Sequence, residues 1–174
     1  MGDPLFLACS PRHGGNCDTA MDVVREVLTY RKDVIFVYNH DYFRTKTGKS
    51  YVLGGRHGNE LVVEWDGDLL VHPDDAKMLL DLREEYIAYT DPGSEEPVFV
   101  DVDAAGNVVK FSRQHGQYEW TGPCCLHTSR LRERGEDVFH ILEPYLPLRG
   151  VKIRAQDIDT YEDYKNAEEF IRSW

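Results

Sequence analysis

The sequence predicts an α/β domain in three layers, with helices on both faces of a mostly parallel sheet. Apolar runs of strand length alternate along the chain with segments of helical periodicity, and loops rich in Gly, Asp and Pro separate them. The 174 residues, 41% of them hydrophobic, are enough for one domain of ordinary size with its own core. We therefore expect a single domain over residues 1–174.

The first 38 residues predict a Rossmann-like strand–loop–helix–strand unit. Residues 4–9, "PLFLAC", form a continuous apolar run, which is typical of a buried strand. A small-residue loop at 10–16 follows, and then a helix whose apolar residues recur at helical spacing in "TAMDVVREVLTY". Residues 34–38, "VIFVY", predict a second buried strand, and we expect the two strands to be parallel with a right-handed crossover between them.

The rest of the chain continues the alternation. Residues 39–55 predict a polar loop that becomes a short helix near Ser50 to Leu53. Further strands are expected at 61–65, 86–91, 97–103, 108–113 and 118–127, with a hairpin turn at 103–107 and another strand in 150–160. Helices are expected at 75–86 with Asp74 as cap, in the second part of 131–146, and at 161–174 with Thr160 as cap.

Composition excludes several classes of protein. A net charge of −11 argues against non-specific nucleic-acid binding, which needs an excess of Lys and Arg. No apolar run reaches the roughly 18 residues of a membrane span, and the opening residues do not form a signal peptide, so we expect a cytoplasmic protein. The four Cys form no C-x-x-C pair and are expected to be reduced, and the scattered His favour no zinc site.

The loop after the first strand has the composition of an anion site. Backbone N–H groups of a small-residue loop before a helix bind phosphate, whatever molecule carries it. The candidate phosphate-binding residues are Ser10, Arg12, Gly14, Gly15, Asn16 and Thr19.

Two acidic pairs follow predicted strands far apart in the sequence. They are Asp66 with Asp68 and Asp157 with Asp159. Carboxylates are hard oxygen ligands that suit Mg²⁺, and strand ends are where ligands of parallel sheets bind. The alternative interpretation is a turn at 66–68 and helix capping at 157–160. A third pair at the hairpin, Asp101 and Asp103, is expected to face solvent.

Four stretches from residue 33 onward resemble the sugar-phosphate and phosphocholine nucleotidyltransferases. "VVEWDGDLLVHPDDAKMLLD" is similar to their strand, metal-binding Asp and helix, and "FVYNHDYFRTKTGKSYVLG" to the stretch upstream. "FVDVDAAGNVVKFSRQHGQYEWTGPCCL" resembles their substrate-side hairpin, and "RAQDIDTYEDYKNAEEFI" their closing element. The four occur in the family's order.

This resemblance implies a nucleotide-diphospho-sugar-transferase-like fold and a Mg²⁺-dependent transfer. The donor would be a nucleoside triphosphate, with CTP favoured, and the acceptor a phosphorylated small alcohol or sugar. Asp68 would be one metal ligand and Asp157 or Asp159 the second, with Asp68 and Asp159 as the catalytic pair and Asp66 as a further candidate ligand.

The opening loop departs from that family, which has a Gly-x-Gly-x-Arg loop and a downstream Lys at this place. "CSPRHGGNCDTA" resembles instead the FMN-phosphate loop of NADPH-dependent FMN reductases and related flavodoxin-like proteins. The first 32 residues would then be a flavodoxin-like unit before a nucleotidyltransferase-like remainder. Arg12 is a candidate replacement for the missing Arg, and Lys46 or Lys49 for the missing Lys, although exposed lysines are more often simply solvated.

Three functions therefore stay open at the level of sequence. The first is a nucleotidyltransferase with an altered phosphate loop. The second is an FMN-binding flavodoxin-like protein, which would use FMN in place of Mg²⁺. The third is a stable hybrid fold that has lost both chemistries. Neither the base, the acceptor nor the oligomeric state follows from the sequence.

Overall fold

The computed structural model describes residues 37–94, 96–172 and 174. The first predicted strand and helix, most of the strand at 34–38, and the loop with all six candidate phosphate-binding residues lie outside this part of the chain. The contacts divide into two compact units. The first comprises residues 37–62 with His127–Leu142, and the second comprises Val63–Leu126 with Glu143–Trp174.

The described elements number four α-helices, eight strands and two short 3₁₀ turns. The helices are α1 (Tyr42–Gly55), α2 (Pro73–Asp81), α3 (Phe139–Leu142) and α4 (Tyr161–Arg172). The strands are β1 (Leu61–Glu64), β2 (Leu69–Val71), β3 (Tyr86–Thr90), β4 (Val98–Val102), β5 (Asn107–Ser112), β6 (Tyr118–His127), β7 (Leu148–Lys152) and β8 (Ala155–Asp157). The 3₁₀ turns are Thr128–Arg130 and Glu143–Tyr145. None of the described helices is long and apolar enough to cross a membrane.

In the first unit, α1 is much longer than the short helix that the sequence predicts. Its first turns are held by the buried side chain of Asn39, whose Nδ2 donates to Thr45 Oγ1 at 3.0 Å and to Ser50 Oγ at 3.2 Å. The helix is kinked at Lys46, which has a φ of 44° and a ψ of −151°. Glycines disfavour a helix, and here tertiary contacts override that preference.

Glycines in α1 allow the segment 131–137 to approach the helix backbone. Gly48 N donates to the carbonyl of Glu136 at 2.9 Å. A Cβ at Gly55 would lie 2.0 Å from Leu131 Cδ1. A larger side chain at Gly48 would meet backbone oxygens of Glu136 and Asp137 and push the two segments apart, whereas at Gly55 the side chain of Leu131 would have to move.

The second unit is built on strands that pair in the order β6-β3-β7-β5-β4, in which β4 also pairs with β6. The last pairing closes β3, β6, β4, β5 and β7 into a ring of five strands. The predicted mostly parallel sheet is therefore wrong for the described strands. The β3–β7 pairing is parallel, whereas β3–β6, β4–β5, β4–β6 and β5–β7 are antiparallel. The short connections through the hairpin impose this direction, because only antiparallel neighbours can be joined by tight turns.

The helices of the second unit begin and end for local reasons. α2 is capped by His72, whose Nδ1 accepts from Asp74 N at 3.3 Å, so the cap is not Asp74 as predicted. It ends at Asp81 rather than near residue 86, because Tyr86 begins strand β3, in which the first four residues are buried. At α4 the predicted cap is confirmed: Thr160 N donates to Asp163 Oδ2 at 2.8 Å, and Asp163 N donates back to Thr160 Oγ1 at 3.2 Å.

Candidate metal centre

A small two-stranded sheet in the second unit brings distant acidic residues together. β2 and β8 pair antiparallel, with Leu69 opposite Asp157. The backbone N–H of Ile158 also donates to the carbonyl of Asp68 at 3.2 Å. The residues just before β2 and those at the end of β8 therefore lie side by side, although they are about 90 positions apart in the sequence.

Within the described residues, three carboxylates form a compact group. Oxygen atoms of Asp68, Asp157 and Asp159 all lie within 4.8 Å of one another. Asp157 is half-buried, and the other two are exposed. Three hard oxygen donors at this spacing fit a small divalent cation such as Mg²⁺, which also keeps several waters. The structure thus gathers three of the four predicted metal ligands, and this Asp cluster has the donors to bind a metal.

The fourth predicted ligand, Asp66, lies beside this group and is more deeply buried. Gly122 makes room for it: a Cβ at Gly122 would be 2.3 Å from Asp66 Oδ2, and the glycine has a φ of 112°. Glu64, at the end of β1, interacts with Asp66 through a side-chain hydrogen bond. The other Glu64 oxygen, Oε2, is buried and finds no hydrogen-bond partner among the described residues. Two further acidic side chains, Asp66 and Glu64, therefore lie next to the three-carboxylate group.

The crowding of acids raises their pKa values. Burial, and next the charge of Asp68, raise the pKa of Asp66 to about 6. Burial and the charges of Asp68 and Asp159 raise the pKa of Asp157 to about 7. The pKa values of Asp159 and Glu64 are raised as well, first by burial and then by neighbouring carboxylates. Near neutral pH the site thus favours taking up positive charge, either as protons or as a cation.

Sequence reasoning missed Glu64 and Gly122. A Glu inside the apolar run "VVEW" is an available signal, because ionisable residues in a buried strand are uncommon without a partner. Gly122 follows Thr121 in the long strand β6, where an isolated glycine often marks a close approach of another group. Neither signal alone indicates which group approaches.

Other candidate residues have local partners. In the first unit, Lys46 Nζ lies 2.7 Å from Glu136 Oε2, and Lys49 is paired with Glu133. Both lysines are thus neutralised by carboxylates of their own unit. In the second unit, Asp103 Oδ1 accepts from Asn107 N at 2.8 Å, which is the turn role expected for it.

Two of the four cysteines, Cys124 and Cys125, lie in the described part of the chain. Both are buried and unbridged there. The prediction of reduced thiols agrees with these two, and the other two cysteines lie outside the described residues.

No protein-family model matches this sequence, and no curated protein matches it either. Solved structures do match. The inositol-1-phosphate CTP transferase of T. maritima aligns with 97% of this chain and 75% of its own, at 15% identity and a TM-score of 0.72. The CTP:phosphocholine cytidylyltransferase of Streptococcus pneumoniae aligns with 98% and 79%, at 14% identity and a TM-score of 0.63. This chain has a nucleotidyltransferase fold.

A third solved structure, the nucleoside-diphosphate-sugar pyrophosphorylase of Vibrio cholerae RC9, aligns with 97% of this chain and 80% of its own, at 16% identity and a TM-score of 0.59. The predicted resemblance to nucleotidyltransferases is therefore confirmed at the level of fold. The flavodoxin-like opening unit lies outside the described residues, and its resemblance stays a prediction.

Proposed function

We propose that the protein is a metal-dependent nucleotidyltransferase that joins a nucleoside triphosphate to a phosphorylated small alcohol or sugar. One observation carries the proposal. In a chain with a nucleotidyltransferase fold, Asp68, Asp157 and Asp159 gather their carboxylate oxygens within 4.8 Å of one another. Like charges at this distance repel, so bringing the acids of two separate segments so close costs energy. Turn and capping roles do not require that arrangement, whereas binding of a cation does.

In this proposal the carboxylates of Asp68, Asp157 and Asp159 hold Mg²⁺, and Asp66 behind them adds negative charge. When bound, Mg²⁺ would neutralise the triphosphate and stabilise charge that develops on the attacked phosphate. The opening loop, with Arg12 and its neighbouring N–H groups, would hold the triphosphate. The full set proposed for that loop is Ser10, Arg12, Gly14, Gly15, Asn16 and Thr19.

The proposed reaction is an in-line displacement at phosphorus. A phosphate oxygen of the acceptor attacks the α-phosphorus and forms a new P–O bond. The bond between the α-phosphorus and the bridging oxygen breaks, and its electron pair leaves with pyrophosphate. No protein group needs to be covalently modified, so the protein contributes positioning and charge compensation. CTP is the favoured donor, because cytidylyltransferases are among the structural neighbours.

The testing experiment is a thermal-shift panel with CTP, UTP, GTP, ATP and FMN, each with and without Mg²⁺. A ligand that binds only the folded state raises stability by about 2.7 kcal/mol at 100 times its dissociation constant. We expect a Mg²⁺-dependent shift with one nucleotide, strongest for CTP. Asp68→Asn should remove the shift, whereas Glu169→Gln, on the exposed surface of α4, removes the same charge and should leave the shift intact.

Pyrophosphate release with the shifting nucleotide and a phosphorylated acceptor completes the test. A Mg²⁺-independent shift with FMN, together with a yellow protein, would assign the opening loop to flavin and contradict the proposal. A colourless protein that shifts with no nucleotide and releases no pyrophosphate would instead support the inactive hybrid.

A further inference from the structure

The first unit contains a cavity of about 550 Å³ for which the proposed transfer has no use. Val52 and Gly55 of α1 contribute to its wall, and so do Thr128 and Leu131, which follow β6. All of its lining residues belong to the first unit, whereas the Asp cluster belongs to the second. The volume is in the range of small-molecule sites. The cavity is therefore a candidate for a ligand of its own.

Positive charge is concentrated at this cavity, although the whole chain is acidic. The chain has a net charge of −11. Arg56 and Arg132 line the cavity together with Glu133, and Lys49 is held beside them by its ion pair with Glu133. Three positive side chains against one negative side chain leave a local charge of about +2. Such a concentration of charge attracts anions and repels cations.

Arg132 has hydrogen-bond donors that the fold leaves available. Its Nη1 donates to the carbonyl of Leu131 at 2.9 Å, and it has no carboxylate partner among the described residues. A guanidinium has five N–H donors in a planar fork, which fits two oxygens of a phosphate. The bond to Leu131 thus fixes the group at the cavity wall, while the remaining donors can bind a ligand.

Glu133 does not neutralise the two arginines. Its Oε1 is paired closely with Lys49, whereas Arg56 Nη2 lies 3.5 Å from the same oxygen. A distance of 3.5 Å is at the long limit for a hydrogen bond. Ion pairs between exposed side chains also contribute little to stability. Arg56, with 61% of its side chain exposed, can therefore bind a second anion with little loss.

The rest of the cavity wall is apolar or small. Val52 and Leu131 are buried apolar side chains, and Gly58 has no side chain to fill the space beside Thr128. The Thr128 hydroxyl forms no hydrogen bond with another described residue and is a further donor. An anion in the cavity would thus meet several donors on a wall of low polarity, where opposite charges attract more strongly than in water.

These groups favour a phosphate over other anions. Two guanidinium forks and one hydroxyl offer more donors than the oxygens of a single carboxylate can use, whereas a phosphate group has three strong acceptor oxygens. A nucleic acid needs a basic surface that extends beyond one cavity, and the acidity of the whole chain opposes its binding. The cavity is also larger than a phosphate ion, so we expect the phosphate to belong to a small organic molecule.

We propose that this cavity is a second anion site, in which Arg56 and Arg132 bind the phosphate group of a small phosphorylated molecule. The site shares no residue with the Asp cluster or with the opening loop, and binding here does not depend on the proposed nucleotidyl transfer. Glu133 serves as a counter-charge in this site. Because it occupies Lys49 and repels the phosphate, it keeps the affinity below what the three basic side chains would give alone.

The test is an NMR titration of the ¹⁵N-labelled protein with inorganic phosphate, at constant ionic strength and without divalent ions. Amide shifts of Gly55, Gly58 and Thr128 report binding at the cavity, because these residues lie in its wall. We expect saturable shifts at these amides in the wild type. Inorganic phosphate is the probe because it supplies the anion without an organic body, and so measures the contribution of the basic side chains alone.

Four variants test the roles of the charges. Arg56→Gln and Arg132→Gln should each weaken phosphate binding about fivefold or more, since each removes charge-assisted hydrogen bonds. Arg44→Gln removes the same charge near the start of α1, where the side chain is 83% exposed, and should not change the affinity. Glu133→Gln should tighten binding about twofold to fivefold, because it frees Lys49 and removes a repelling charge.

Opposite effects of the two kinds of charge change identify an electrostatic site. If these side chains only stabilised the fold, Arg132→Gln and Glu133→Gln would both weaken binding. Weaker binding in Glu133→Gln would therefore overturn the assignment. Unchanged binding in Arg56→Gln and Arg132→Gln would overturn it as well.

The location of the bound phosphate is a separate criterion. A wild type without saturable shifts at the three cavity amides overturns the assignment. Loss of these shifts in Arg12→Gln also overturns it, because the phosphate would then belong to the opening loop. Should Arg132→Gln not fold, as judged by its melting curve, Arg132→Lys keeps the charge without the planar fork and should still weaken binding about twofold or more.

Discussion

Replacement of Asp66 by Asn is expected to stabilise the metal-free protein, and to do so only at high pH. Burial and the neighbouring Asp68 raise the pKa of Asp66 from 3.8 to about 6. The folded state therefore holds a proton between these values that the unfolded state has lost. Stability falls as pH rises through this window and stays low above it. At about 1.4 kcal/mol per pH unit, the cost of ionising this carboxyl at pH 8 is about 3 kcal/mol.

Asp66→Asn keeps the shape of the side chain and removes the charge, so it should recover most of that energy. For a protein of this length, about 3 kcal/mol corresponds to a rise in Tm of about 6 to 12 °C. Melting curves without divalent ions at about pH 8 and at about pH 4 check the prediction, with a rise at the higher pH and almost none at the lower. Glu169→Gln removes the same charge from the exposed surface of α4 and should give almost no change at either pH. Equal effects of Asp66→Asn at both pH values, or a lower Tm at pH 8, would refute the electrostatic reasoning.

Three further predictions concern local contacts within each unit. Lys46→Gly should raise the free energy of unfolding by about 1 kcal/mol in urea titrations, because release of a left-handed φ outweighs loss of the exposed ion pair with Glu136. Gly55→Ala should cost about 1 to 3 kcal/mol in the same assay, since the new methyl group would overlap Leu131. Glu119→Gln should increase amide hydrogen exchange at Gly93 and Ser94, because this buried carboxylate accepts their backbone N–H groups.

Matched variants separate these explanations from general sensitivity to mutation. Gly67→Ala is the control for Gly55→Ala. A Cβ at Gly67 would meet nothing within 4 Å, so this variant should lower the free energy of unfolding only a little. Lys49→Gly is the control for Lys46→Gly. Lys49 does not have a positive φ, so its replacement by glycine releases no strain and should destabilise the helix. If exchange at Gly93 is unchanged in Glu119→Gln, the hydrogen bonds at 2.7 and 3.1 Å do not hold that loop.

Local signals in the sequence predicted the local features well. The cap of α4 depends on Thr160 and Asp163, three residues apart, and the structure contains it. Asp68 and Asp157 were expected at the carboxyl ends of parallel strands, whereas the antiparallel pairing of the short strands β2 and β8 brings them together in the structure. Three-residue strands have too few residues to show a period of two, so their pattern is indistinguishable from a loop.

Features that depend on contacts between residues far apart in the sequence could not be predicted from local sequence patterns. α1 contains Gly48 and other weak helix formers, and it exists because the segment 131–137 packs on it. The direction of the sheet was wrong because alternating strands and helices favour parallel pairing, whereas the ring closes through β4 and β6. Burial is the first cause of the raised pKa of Asp66, and one residue that lies against its side chain, Gly122, is 56 positions away in the sequence and gives no sign of this neighbour.

The closed ring of strands has a consequence for solubility and for tolerance of insertions. An open edge strand exposes unpaired N–H and C=O groups on which a second chain can add by β-pairing. Each of β3, β4, β5, β6 and β7 has a neighbour on both sides, so none of the five offers such a template. Additions at the tip of the 103–107 turn should leave the chain dispersed, since they break no pairing. Loss of β4 would expose β5 and one side of β6 together, and self-association of the chain should follow.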